Sequence, residues 1–209
     1  MARSVAGYEA RDASDAQVYG LARYRRRPRG EELTARVGMA VFLGSWAMLF
    51  IALFFAYAFV RARAPAWPPL GAPPLPRLLP GVNTLVVLVS SLAVGRAVHA
   101  RDLGRARETA AALAIAAALG ALFLFLQTAV WAGLWQDGLV PSGGAYPSVF
   151  YAFTVFHALH VLVGLAAMAW LALRARRGAA SRTAVRLWGW YWHFVAALWG
   201  ALYVTVYLA

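Results

Sequence analysis

Three histidines are the residues of this chain best suited to chemistry. His157 and His160 stand one helical turn apart in a stretch, 146–173, that holds no Asp, Glu, Lys or Arg. His193 lies in a second apolar stretch, next to Trp192. Imidazole ligates iron, copper and zinc, and histidine chains relay protons through membranes. At 100° per residue, Phe153, His157, His160, Gly164 and Met168 share one helical face. Gly164 lets a neighbouring backbone approach that face closely. The same rule groups Gly189, His193, Ala196 and Gly200, so all three histidines read as inward-facing and the two small-residue faces as packing on each other.

The rest of the sequence narrows that chemistry. There is no cysteine, which excludes disulfides and thiolate metal sites. Every acid, Glu9, Asp12, Asp15, Glu31, Glu32, Asp102, Glu108 and Asp137, lies outside the long apolar runs. No carboxylate therefore stands beside the histidines to complete a zinc or di-iron set or a proton relay. The expectation is no catalytic residue and no metal. His157, His160, His193 and Gly164 are structural or lipid-contacting positions. Nucleotide loops, nucleophile elbows and metalloprotease motifs are absent.

The elements that carry these residues are five apolar runs, at about 37–60, 82–98, 109–134, 146–173 and 187–209, free of charge except for Arg96 near the end of the second. Each is near the roughly 20 residues that cross a bilayer core of about 30 Å. With 62% apolar residues in 209, the predicted class is an all-α membrane protein with a five-span domain over 37–209. Residues 1–36 are polar and contain the cluster 25–29; they read as a flexible basic cytoplasmic tail. The stretch 61–81 carries seven prolines and reads as an extended linker.

All 20 basic residues are Arg, giving a net charge of +12. Such a charge fits nucleic acid in a soluble protein. Here the arginines, Arg96 excepted, lie outside the apolar runs, so no nucleic-acid partner is expected. All except Arg61, Arg63 and Arg77 fall on one side of the five-span topology. The positive-inside rule then puts the N-terminus in the cytoplasm and the C-terminus outside.

Gly38-Met39 and Phe42-Leu43, Trp67-Pro68-Pro69, Asn83-Thr84-Leu85 and Ser90-Ser91 occur in order, followed by Phe156-His157-Ala158-Leu159-His160-Val161-Leu162-Val163-Gly164 and Trp190-Tyr191-Trp192-His193-Phe194-Val195. In this order and spacing the chain resembles subunit III of the haem-copper respiratory oxidases, in the short five-helix bacterial form, from about Arg36 onward. The resemblance implies a V, with the first two helices as one arm, the other three as the second, and phospholipid in the cleft. It implies a non-catalytic subunit of the bacterial plasma membrane, packed on subunit I and with subunit II in the complex, that supports proton uptake in subunit I. Haem and copper belong to the partner. The sequence departs from the family at two carboxylates: Trp46 stands for a glutamate and Ala196 for an aspartate. An accessory subunit of a nitric oxide reductase system and an independent haem-binding electron carrier are the competing readings.

Overall fold

The computed structural model describes residues 29–208. Five helices follow in chain order: α1 (Arg29–Arg63), α2 (Leu78–Asp102), α3 (Ala106–Gln136), α4 (Ala145–Arg176) and α5 (Arg182–Leu202). A short π-helical segment, Tyr203–Leu208, extends α5. All five are long and apolar enough to cross a membrane, and the described residues contain no strand. The protein is a multi-pass membrane protein. In hydrocarbon, only helices and closed barrels satisfy every backbone group internally.

The helices run beyond the apolar stretches. Most of the expected tail, residues 1–28, lies outside the described residues; residues 29–36 are the opening turns of α1. Glu31 and Glu32 in the first turn suit the positive end of the helix dipole. Glu32 pairs with Arg36 at 2.6 Å in the favourable i,i+4 order. Contacts divide the chain between Val41 and Phe42, within this one helix.

The same extension occurs elsewhere. Long Arg side chains near a helix end reach the interface while the backbone stays helical, so a charge does not end a span. α2 starts at Leu78, within the expected linker, and takes Pro80 into its first turn, where a missing N–H costs nothing. α5 starts at Arg182 because Ser181 caps it, its hydroxyl accepting from the Ala184 N–H at 3.0 Å. Glycines with positive φ, Gly104 and Gly178, turn the chain after α2 and α4.

α2 packs along α3 and α5. Its buried polar side chains supply the reason. The Ser90 hydroxyl donates to the Ala116 carbonyl of α3 at 3.0 Å, and Asn83 Nδ2 donates to the Phe123 carbonyl at 3.2 Å. α5 reaches α2 through two indole N–H groups, described below. The helices α2–α5 thus form a four-helix bundle, in which α2 packs on α3 and α5, and α4 packs on the same two.

The linker after α1 folds back through Trp67. Its indole N–H donates to the Tyr57 hydroxyl at 3.2 Å, and its ring meets Tyr146 of α4 edge-on at 4.8 Å. The Tyr57 hydroxyl in turn donates to the Thr205 carbonyl at 3.1 Å.

Candidate functional site

The centre of the bundle is occupied by tryptophan. Trp192 is fully buried on α5. Its ring lies where a Cβ at Gly164 of α4 would come within 2.7 Å, and likewise for one at Gly120 of α3. Its Nε1 donates to the Ser90 hydroxyl of α2 at 3.0 Å. One side chain therefore joins four helices. Ser90 is satisfied both ways, accepting from the indole and donating to Ala116. Two turns further along, Trp199 repeats the arrangement: it donates to the Thr84 hydroxyl at 3.0 Å and meets Phe123 edge-on at 4.8 Å.

The histidines occupy three separate environments. His157 is buried between the rings of Phe123 and Trp199, at 5.7 and 5.3 Å. Neither of its ring nitrogens has a hydrogen-bond partner among the described residues. His160 Nδ1 bonds to the Phe156 carbonyl one turn back, and its ring lies against Trp46 and Phe50 of α1. The His160 carbonyl accepts from the Tyr191 hydroxyl at 2.8 Å. His193 is exposed on the outer surface of α5 and bonds to the Ser91 hydroxyl.

The expected inward position of His193 is thereby corrected. Periodicity placed it with Gly189 and Ala196, but those residues turn toward other neighbours. A Cβ on Gly189 would meet Val98 and Val94 of α2 at 3.1 and 3.5 Å. Gly164 faces Trp192 and Tyr191, and nothing lies within 4 Å of a Cβ at Gly200. The expected match of the two small-residue faces is replaced by large aromatic rings seated over glycines. No group of three His, Cys, Asp or Glu among the described residues is arranged to hold a metal ion.

The two positions where family carboxylates are replaced lie in different surroundings. Ala196 is buried on α5. Trp46 is half-buried on α1, against His160, with Phe42 at 5.0 Å and Tyr191 at 6.1 Å. Its indole fills a place between α1, α4 and α5.

In the sequence, Thr84, Ser90 and Ser91 stand only among the motifs that carry the resemblance. Their role as acceptors and partners for α5 was missed. A signal existed: Trp192 and Trp199 are seven residues apart, which puts both on one face, and each buried indole N–H needs an acceptor.

A model of the family "Cytochrome c oxidase subunit III" matches residues 31–209. The chain is similar to cytochrome c oxidase subunit 3 of Synechocystis sp., with 37% identity over 82% of this chain and 74% of that protein. Subunit 3 of Osphranter robustus is 32% identical over 82% of this chain and 68% of the relative. That of Sus scrofa is 33% identical over the same shares.

Proposed function

The chain belongs to the cytochrome c oxidase subunit III family, and on that premise we propose that it is a non-catalytic membrane subunit of a bacterial respiratory haem-copper oxidase. It packs on subunit I, in a complex that also contains subunit II, and stabilises subunit I during turnover. Haem, copper and dioxygen reduction reside in those partners. The termini lie as the arginine distribution requires, N-terminus in the cytoplasm and C-terminus outside the plasma membrane.

The observation that carries this reading is the division of polar and apolar surface. The described spans turn their hydrogen-bonding groups inward onto one another, at Ser90, Thr84, Asn83 and Thr154. Large apolar side chains such as Met48, Ile51 and Phe55 of α1 remain exposed. Such a chain has a stable interior and an apolar exterior, which suits a larger membrane partner. Support of proton uptake in subunit I is then indirect, through packing and bound phospholipid, because Trp46 and Ala196 stand where the family has carboxylates.

Deletion of the gene tests the reading. The oxidase should retain its haem spectrum and near-normal initial rate, while activity falls faster during sustained turnover. The protein should co-purify in mild detergent with a haem-bearing polytopic subunit. An unchanged inactivation rate together with no co-purification rejects the assignment. Co-purification with a nitric oxide reductase, or a pyridine haemochrome spectrum from the isolated chain, would instead select one of the competing readings.

A further inference from the structure

Three buried side chains in one half of the bundle carry polar atoms that nothing answers. Gln127 of α3, His157 of α4 and Tyr207 of the π-helical segment are 1%, 0% and 3% exposed. The Gln127 Nε2 and Oε1, both His157 ring nitrogens and the Tyr207 hydroxyl make no hydrogen bond among the described residues. By contrast, the hydroxyls of Ser90 and Thr154 and the indoles of Trp192 and Trp199 are all paired. A buried polar atom without a partner is destabilising and rare in a native fold. Here several such atoms, on three elements, gather in one region.

Shared neighbours link the three. The ring of Trp199 lies 5.3 Å from that of His157 and 6.3 Å from that of Tyr207. Phe123 meets His157 at 5.7 Å. Gln127 is one turn further along the same helix as Phe123, about 6 Å at 1.5 Å per residue. The Gln127 amide stands close enough to the Tyr207 hydroxyl to act on it, yet outside direct hydrogen-bond geometry. Tyr207 also lines a pocket of about 220 Å³ at the bundle end, with Trp67, Pro74, Arg77 and Tyr146. The pocket, Tyr207, Gln127 and His157 therefore follow one another from the bundle end inward.

The chemistry of the set selects its occupant. It has no carboxylate or thiolate, the groups that would hold a metal ion beside an imidazole. It offers donors and acceptors together: the amide supplies N–H groups and a carbonyl, and a hydroxyl and a neutral imidazole each supply both kinds. Water answers both, and a buried water makes about three bonds to groups of this sort. We propose that a short string of internal waters enters from the pocket, bridges the Tyr207 hydroxyl and the Gln127 amide, and reaches the ring nitrogens of His157. About two waters at about 2.8 Å spacing cover the turn between Gln127 and the level of Phe123. The string connects an imidazole at the centre of an apolar bundle with bulk solvent. The proposal does not rest on the identity of the partner subunit.

The test is hydroxyl-radical footprinting of the full chain in mild detergent, by millisecond X-ray radiolysis read with mass spectrometry. Radicals formed from bound water label the side chain beside it, however deeply it is buried. Trp192, equally buried and bonded to Ser90, is the dry reference. Tyr207 and His157 should both be labelled well above Trp192. Gln127→Leu should bring His157 down to the level of Trp192 while Tyr207 stays labelled from the pocket. Tyr207→Phe keeps the ring and should also lower labelling at His157. The thermal midpoint gives a second reading. In a dry interior, Gln127→Leu removes an unpaired buried amide and raises the midpoint; with water in place the midpoint should stay or fall. Wild-type His157 labelled no more than Trp192 overturns the proposal, and labelling confined to Tyr207 does the same, since it leaves water in the surface pocket alone. A raised midpoint in Gln127→Leu, or labelling of His157 that this variant leaves unchanged, also overturns it.

Discussion

α1 and the α2–α5 bundle are both apolar and both long enough to span a membrane, yet they are held by different means. In the most apolar window of α1 only 6% of residues are buried, against 50% for α4. The bundle is fixed by directional bonds: indole N–H groups on α5 reach hydroxyls on α2, and hydroxyl and amide groups of α2 reach carbonyls of α3. From Phe42 onward, α1 is held largely by rings, beside the Tyr57 hydroxyl bond to the Thr205 carbonyl. Trp46 and Phe50 meet His160, and Phe54 and Tyr57 meet Phe153 at 4.8 and 5.9 Å. Since lipid is as apolar as Leu, apolar contact alone gives no drive for helices to associate. The comparison teaches that burial of an apolar helix in a membrane protein follows its polar and small residues, and that α1 has few aimed at the bundle.

The largest break of this contrast should come from Trp192→Ala. It removes a fully buried ring and the bond to Ser90, and should cost about 3–5 kcal/mol. Thermal unfolding in detergent should show a large fall in the midpoint; a midpoint within error of wild type would mean that Trp192 is not the joint of the bundle.

Gly164→Val attacks the same joint from the opposite helix. A Cβ there meets the Trp192 ring at 2.7 Å and Tyr191 at 3.0 Å. Both neighbours are rigid rings, so overpacking should cost about 1–3 kcal/mol. The paired variant Gly164→Val with Trp192→Leu should regain part of the loss. Additive losses in the double variant would show that the two positions do not press on each other.

Trp46→Ala tests the other region. It removes ring contacts worth about 1 kcal/mol and should leave bundle unfolding nearly unchanged. Its effect should instead appear as faster labelling of a cysteine placed at Phe50 on the face that α1 turns to α4. Labelling at the wild-type rate would show that Trp46 does not seat α1.

Ser91→Ala should have the smallest effect. It breaks the bond to His193 on an exposed surface. Interhelical bonds in bilayers average about 0.6 kcal/mol. A loss as large as that of Trp192→Ala would erase the distinction between interior and outer-surface bonds.

The sequence alone determined that there are five spans, because the backbone of a membrane segment must be helical and an apolar run of sufficient length signals it. It also put His157, His160 and Gly164 on the inward side of their helix, where all three are buried, but not which neighbours they meet: His157 lies against Phe123 and Trp199, His160 against Trp46 and Phe50. It did not determine the helix ends, because arginines such as Arg101, Arg174 and Arg186 sit inside helices that the charge pattern had closed. Nor did it determine what faces inward. In a soluble protein, water separates polar outer faces from apolar inner ones, but lipid and bundle interior are both apolar and leave no such contrast in the sequence. His193 illustrates this: its small-residue neighbours suggested burial, yet it lies exposed, and the buried place on that helix belongs to Trp192. Only the tertiary structure decided that, because the choice rests on which helix supplies a hydroxyl for the indole and a glycine beneath it. Those partners are Ser90 and Gly164, 102 residues away and in another helix respectively.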